Sequence, residues 1–217
     1  MISINNLSKK FKTNIIYDDV SIKFENNINF LFGNNGCGKS TLINIIAGAS
    51  PSDEGSIFIG DSIISLTDGT YKKKIGFLLS LPSYPIHYKV SEYINLINYI
   101  YDNNFQLNSL YQKNLIDFFD LNKYLNTKIN ELSVGYIKRV QLLTSMLHDP
   151  KYYILDEPFA GLDNNFIQLL NQKIIDLSKE GKYFLVTTHQ IDNTLFNYLN
   201  SDRFEIVDHK IKKIFNY

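Results

Sequence analysis

The stretch Ile28-Asn29-Phe30-Leu31-Phe32-Gly33-Asn34-Asn35-Gly36-Cys37-Gly38-Lys39-Ser40-Thr41 decides how this chain folds. Its opening residues, Ile28 to Phe32, read as a nearly continuous apolar strand, the pattern of a strand buried on both faces. Gly33 to Ser40 fits the spacing Gly, four residues, Gly-Lys-Ser/Thr, and a helix with Leu42, Ile45 and Ile46 on one face follows from about Lys39. Glycines at these places let backbone amides point inward around phosphate oxygens, and the helix adds its positive N-terminal end. Lys39 is expected to reach the outer phosphates and the Ser40 hydroxyl to ligate Mg2+. Cys37 reads as a small residue tolerated in the loop, not as a reactive thiol.

Outward from this loop, Ile2 and Ile4 alternate with polar neighbours, as do Val20, Ile22 and Phe24. Ile57 and Ile59 do the same after the turn-like Asp53-Glu54-Gly55. Period-two alternation marks half-buried, antiparallel strands. Gly48 supplies a stop for the helix after the loop. From Pro82 to His148 the texture is helical. Ser91 stands as the N-cap of a helix carrying Ile94, Ile97 and Tyr101; a second stretch holds Leu115, Phe118 and Phe119; a third begins near Ser133 and carries Val140, Leu143 and Leu147. Two further buried strands, Tyr152 to Leu155 and Tyr183 to Val186, flank a helix with Ile167, Leu170, Ile174 and Leu177 on one stripe. Strand–helix–strand at this spacing implies a parallel α/β sheet into which the helical middle is inserted.

The strand Tyr153-Ile154-Leu155 runs into Asp156-Glu157, and ligands sit at strand ends in parallel sheets. In a chain that also carries a phosphate loop, Asp156 is placed to hold Mg2+ through water and Glu157 to polarise an attacking water.

Of the 217 residues, 22 are Lys or Arg and 22 are Asp or Glu. That balance argues against a nucleic-acid partner, which calls for a surplus of cations. Cys37 is the sole cysteine, so no internal disulfide forms. No apolar run reaches the roughly 18–20 residues needed to cross a bilayer, and Met1 to Asn6 does not read as a signal peptide. A cytoplasmic protein is expected, one that serves a membrane only through a partner.

With these residues in view the chain resembles the ABC ATPase family over nearly its whole length. Gly33 to Thr41 and Tyr153 to Glu157 stand as its Walker A and Walker B motifs, and Leu132-Ser133-Val134-Gly135-Tyr136 resembles its signature LSGGQ. Pro158 to Asp163 matches the run into the D-loop, Thr187-Thr188-His189 ends a strand where the family places its switch histidine, and Phe11 falls where an aromatic stacks on adenine. The resemblance implies an α/β P-loop core of mainly parallel sheet, an N-terminal antiparallel β subdomain, and an inserted helical subdomain over about 82–148. Core and β subdomain then take about 1–81 and 149–217, one ABC ATPase domain over 1–217. ATP, with Mg2+, is expected to lie against Phe11 and the loop from Gly33 to Thr41 (Gly33, Asn34, Asn35, Gly36, Cys37, Gly38, Lys39, Ser40, Thr41). Ser133 and Gly135 of a second copy, or of a homologous ATPase subunit, would complete the site. Glu157, His189 and Lys39 are the expected catalytic groups, with Ser40 and Asp156 on the metal. Transmembrane permease subunits are the implied partners, with the chain peripheral on the cytoplasmic face.

Two departures stand out. Val134 and Tyr136 replace the usual Gly and Gln of the signature, while Ser133 and Gly135 are kept. Gly76-Phe77-Leu78-Leu79-Ser80 places Ser80 where the family has the Q-loop glutamine, which motivates an alternative, a non-hydrolysing ATP-gated dimerisation module. A soluble ABC ATPase of the iron–sulfur assembly type is the other alternative. The short run after His189 leaves little room for the regulatory domain many importers carry, which tilts the expectation toward an exporter-type system.

Overall fold

The computed structural model describes residues 1–64, 69–79, 85–101, 110–189 and 201–214. The antiparallel strands β1 (Ile2–Phe11), β2 (Asn14–Phe24), β4 (Glu54–Ile59) and β5 (Ser62–Ile63) form one sheet in the order β2-β1-β4-β5. A six-stranded sheet takes the order β10-β9-β3-β8-β7-β6, from β3 (Ile28–Phe32), β6 (Ile75–Leu78), β7 (Tyr152–Asp156), β8 (Tyr183–Thr187), β9 (Ser201–Val207) and β10 (Lys210–Ile214). All its pairings are parallel except β9 with β10. Among the described residues the α-helices are α1 (Lys39–Ile46), α2 (Val90–Tyr101), α3 (Leu110–Phe118), α4 (Val134–Met146) and α5 (Asn164–Lys179).

The continuous apolar runs have a simple cause: both faces of the parallel sheet are covered. Along β7, Tyr152 and Ile154 join one core with the antiparallel sheet and α1, whereas Tyr153 and Leu155 join a second core with α2 to α5. Strand β8 splits the same way, Leu185 to the first core and Phe184 with Val186 to the second. The antiparallel strands bury one face only, so Ile2, Ile4, Val20, Ile57 and Ile59 are buried and alternate with exposed or half-buried neighbours. Burying a side chain of this size is worth roughly 1.5–3 kcal/mol, so the two cores hold the strand ends in place.

Helices α2, α3 and α4 all fall between β6 and β7 in sequence, as the inserted helical stretch requires. Gly48 follows α1 in the left-handed region at φ 67°, a fitting stop. Ser91 is not the cap of α2, however. That helix begins at Val90, and the Lys89 amide donates to Glu92 Oε2 at 2.8 Å. Lys89 is held by a bridge to Lys128 and by the Glu92 carboxylate, which sets the first turn one residue ahead of the serine. Phe119 lies just past the end of α3 and is fully buried. The hairpin β9–β10 carries no motif that announces it.

Candidate functional site

Strand β3 delivers the chain at Phe32 into the loop from Gly33, and α1 starts at Lys39. Gly38 sits at φ 118°, and a Cβ there would lie 2.7 Å from Ile16 Cγ2; only glycine turns this corner against β2. Tyr17 of β2 braces the same point, its hydroxyl donating to Gly38 O at 2.8 Å. Burial pushes the Tyr17 hydroxyl well above the ordinary phenol range, so it stays protonated as a donor. Lys39 is 7% exposed and its ammonium donates to Gly33 O at 2.6 Å and Asn34 O at 3.2 Å, across the mouth of its own loop. Cys37 is half-buried and packs against the core beneath the loop.

At the end of β7, Asp156 is buried and accepts a hydrogen bond from Thr187 Oγ1 on the neighbouring β8. The same Thr187 oxygen accepts from the Glu157 amide at 3.1 Å, while Thr187 O accepts from that amide at 3.2 Å. Glu157 takes φ 49°, a left-handed conformation that costs a non-glycine residue on the order of 1 kcal/mol. The twist turns its carboxylate out of the strand direction toward α1. His189 Nδ1 lies 2.9 Å from Glu157 Oε2. Lys138 of α4 donates to Glu157 O at 3.3 Å; burial lowers its pKa, with Asp156 and Glu157 opposing that shift.

One cleft of about 220 Å3 is lined by Asn35, Gly36, Gly38, Lys39, Ser40, Thr41 and Glu157. The phosphate loop and the strand-end carboxylate, more than a hundred residues apart, thus share one space. Neither Phe11, Ser133 nor Gly135 lines it. Phe11 is 50% exposed at the tip of the β1–β2 hairpin, with Lys9 Nζ 5.0 Å from its ring centre, so it is not a core aromatic. Ser133 caps α4, accepting from the Tyr136 amide at 3.4 Å, and Val134 beside it is 73% exposed. Gly135 packs closely on the D-loop backbone, where a Cβ would lie a tight 3.0 Å from Gly161 O. Ser80 lies outside the described residues.

Sequence reading did not single out Tyr17, Thr187 Oγ1 as an orienting group, Lys138 or Arg139. Arg139 Nη2 donates to Asp163 Oδ2 at 2.9 Å, and Asp163 Oδ1 in turn accepts from the Phe166 amide, capping α5. Only the cap had a local signal, an Asp three residues before Phe166 ahead of an apolar stripe.

The sequence profile of the ABC transporter family matches residues 17–160. An uncharacterized ABC transporter ATP-binding protein of Methanocaldococcus jannaschii is 33% identical over 88% of this chain and 69% of its own length. The lipopolysaccharide export system ATP-binding protein of Escherichia coli is 30% identical over 89% of this chain and 82% of its own. Among solved structures, an ATP-binding subunit of an ABC transporter superimposes with a TM-score of 0.84 at 25% identity, covering 99% of this chain and 89% of that one. A dimeric ABC transporter cassette gives 0.85 at 21% identity over 100% of both chains, a likeness of fold. The geometry at the carboxyl ends of β3, β7 and β8 and the extent of these matches agree, and this chain belongs to the ABC transporter family as an ATP-binding, ATP-hydrolysing subunit.

Proposed function

We propose that two copies, or this chain and a homologous ATPase subunit, close head to tail on ATP and thereby drive separate transmembrane permease subunits. One observation carries this reading: the cleft holds the phosphate loop and Glu157 but not Ser133 or Gly135, which stand at the N-terminus of α4. A phosphate in the cleft lacks those donors until a second chain brings them. Within that arrangement Lys39 and the loop amides hold the outer phosphates, Phe11 stacks on the base, and Glu157 polarises the water while His189 holds its carboxylate. Ser133 Oγ, the Gly135 amide and the α4 N-terminus address the γ-phosphate from across the interface. Ser40 and Asp156 offer the hard oxygen donors that Mg2+ selects; they would hold the ion, which would supply positive charge against the phosphates.

We read about 82–148 as the helical subdomain and the remainder as core and β subdomain. Among the described residues no helix is long and apolar enough to cross a membrane, which fits a chain held on the cytoplasmic face by permeases. Ile86 and Tyr88 are 45% and 43% exposed, and their backbone carbonyls are tied to Asn130 and Ile129, so they present a firm apolar surface for such a partner. The relatives include export systems in both Escherichia coli and Reclinomonas americana, which supports the exporter-type reading, and neither alternative function finds support among them.

The test is Glu157→Gln, which keeps the shape and removes the water-polarising charge. The variant is expected to run as a dimer on gel filtration with ATP and as a monomer with ADP. A variant that stays monomeric with ATP at high protein concentration refutes the sandwich.

A further inference from the structure

We propose that Asp120 and Tyr136 form a clamp that positions the first turn of α4 for the nucleotide of a second copy, which makes both of them positioning residues for closure of the dimer on ATP. The inference rests on the sandwich reading above and adds to it a contact made by this chain's own Tyr136. Tyr136 stands where the family usually has Gln, and its hydroxyl donates to Asp120 Oδ2 at 2.7 Å. Its ring packs on Tyr124 with centres 4.4 Å apart. Arg139, one turn further along α4, lies 4.9 Å from the Tyr136 ring centre, and its Nη1 is 3.9 Å from Asp120 Oδ2. The other side of the same guanidinium holds Asp163, the cap of α5. Two carboxylates, one before α4 and one after β7, therefore bracket the helix through Tyr136 and Arg139.

Asp120 itself takes φ 54°, a left-handed conformation that Asp tolerates better than most residues. It is the left-handed residue that closes the end of α3, where the Leu121 amide donates to Ile116 O at 3.0 Å, and this turn holds the carboxylate that meets the Tyr136 hydroxyl. Ser133 Oγ is bonded to the Tyr136 amide, and Gly135 packs closely on Gly161 O, which a Cβ would approach to 3.0 Å. A shift of Tyr136 thus moves both groups that face the partner's ATP, and misplacement by about 1 Å costs on the order of a hundredfold in rate. A clamp of this kind sets the turn before the partner arrives, so its loss falls on closure and not on nucleotide capture by a single chain.

The experiment places Tyr136→Phe in the Glu157→Gln background and measures the dimer dissociation constant with saturating ATP. Without this intrachain hydrogen bond the first turn of α4 is less well placed at both sites of the dimer, and the constant is expected to rise at least severalfold. Binding of a fluorescent ADP analogue by the monomer and the melting temperature are expected to stay near those of the parent. Asp120→Ala should reproduce the loss, and Asp120→Asn, which still accepts from the tyrosine, should restore most of it. If the Glu157→Gln parent dimerises and Tyr136→Phe matches it, the clamp is refuted while the sandwich stands. If Asp120→Asn is as weak as Asp120→Ala, or ADP binding falls in step with dimerisation, the positioning role is likewise overturned. A parent that never dimerises overturns both.

Discussion

His189 Nδ1 lies 2.9 Å from Glu157 Oε2, a contact between the ends of two adjacent parallel strands. Register makes it possible: Asp156 pairs with Thr187, so the residues following each come out of the sheet side by side. Thr187 then fixes the Glu157 backbone through both of its oxygens. The carboxylate is consequently held from two directions, by its own strained backbone and by the imidazole.

His189→Ala is therefore expected to lower kcat for ATP hydrolysis by roughly a hundredfold or more, in the range of positioned acid–base partners. ATP affinity should fall less than kcat, because His189 shares a cleft with Gly33 and Asn34 of the phosphate loop but not the one that holds Lys39, Ser40 and Glu157. Phosphate release under saturating MgATP measures the first and nucleotide titration the second. Wild-type kcat in this variant removes His189 from the mechanism.

Lys39 offers a second test. Its ammonium already spans Gly33 O and Asn34 O at the loop mouth, a position from which a rotation of the side chain reaches a bound phosphate. Lys39→Ala should reduce hydrolysis by at least 10²–10³, the loss typical of a charge aimed at developing transition-state charge. Lys39→Arg should not rescue it, since a planar fork does not fit the space of a point charge that is 7% exposed. Appreciable turnover by either variant contradicts the assignment.

The phosphate loop was legible in the sequence because its chemistry is local: the loop amides, Lys39 and Ser40 belong to one short run. Asp156 and Glu157 were legible for a related reason, an apolar strand ending abruptly in charge. Tyr17, Lys138, Thr187 and Asp120 were not, because each acts on residues distant in sequence, and register and packing bring them together. The misplaced cap of α2 has the same origin, since Lys89 is fixed by a bridge to Lys128 that no local pattern encodes. Phe11 shows the opposite case: the sequence picked it out, and the structure leaves it half exposed at the tip of the β1–β2 hairpin, away from the carboxylates and the phosphate loop in the chain.

Tyr17 supplies a prediction that the sequence alone did not offer. Its hydroxyl meets Gly38 O, the carbonyl that also receives the Leu42 amide in the first turn of α1. Tyr17→Phe removes a buried hydrogen bond worth about 1 kcal/mol, which corresponds to a fall in Tm of roughly 2–4 °C for a chain of this size. ATP affinity should drop severalfold with it, because Gly38 opens the helix whose N-terminus faces the phosphates. Thermal melts with and without ATP check both. A lowered Tm with unchanged affinity would make Tyr17 a prop of the core alone.

His148 sets an acid limit on stability. Its ring stacks on Tyr101 with centres 3.8 Å apart, and its Nε2 meets Ile75 O at 3.1 Å on β6. The carbonyl can only accept, so the proton sits on Nε2, and Nδ1 is left buried with no partner among the described residues. Charging the ring would place a second proton on that unpartnered atom. Burial accordingly lowers the pKa to about 4, with Lys182 pushing the same way and Ile75 O and Asp149 opposing. An unfolded histidine titrates near 6.5, so between these values the unfolded chain binds a proton that the native one refuses. Stability from this group is complete above about pH 6.5 and is lost as the pH falls toward 4. From pH 7 to pH 5.5 the loss comes to roughly 1 kcal/mol. Urea unfolding at the two pH values should show it in the wild type and not in His148→Gln, whose side chain carries no charge at either. If the two proteins lose stability in parallel, the imidazole is not the group that senses acid.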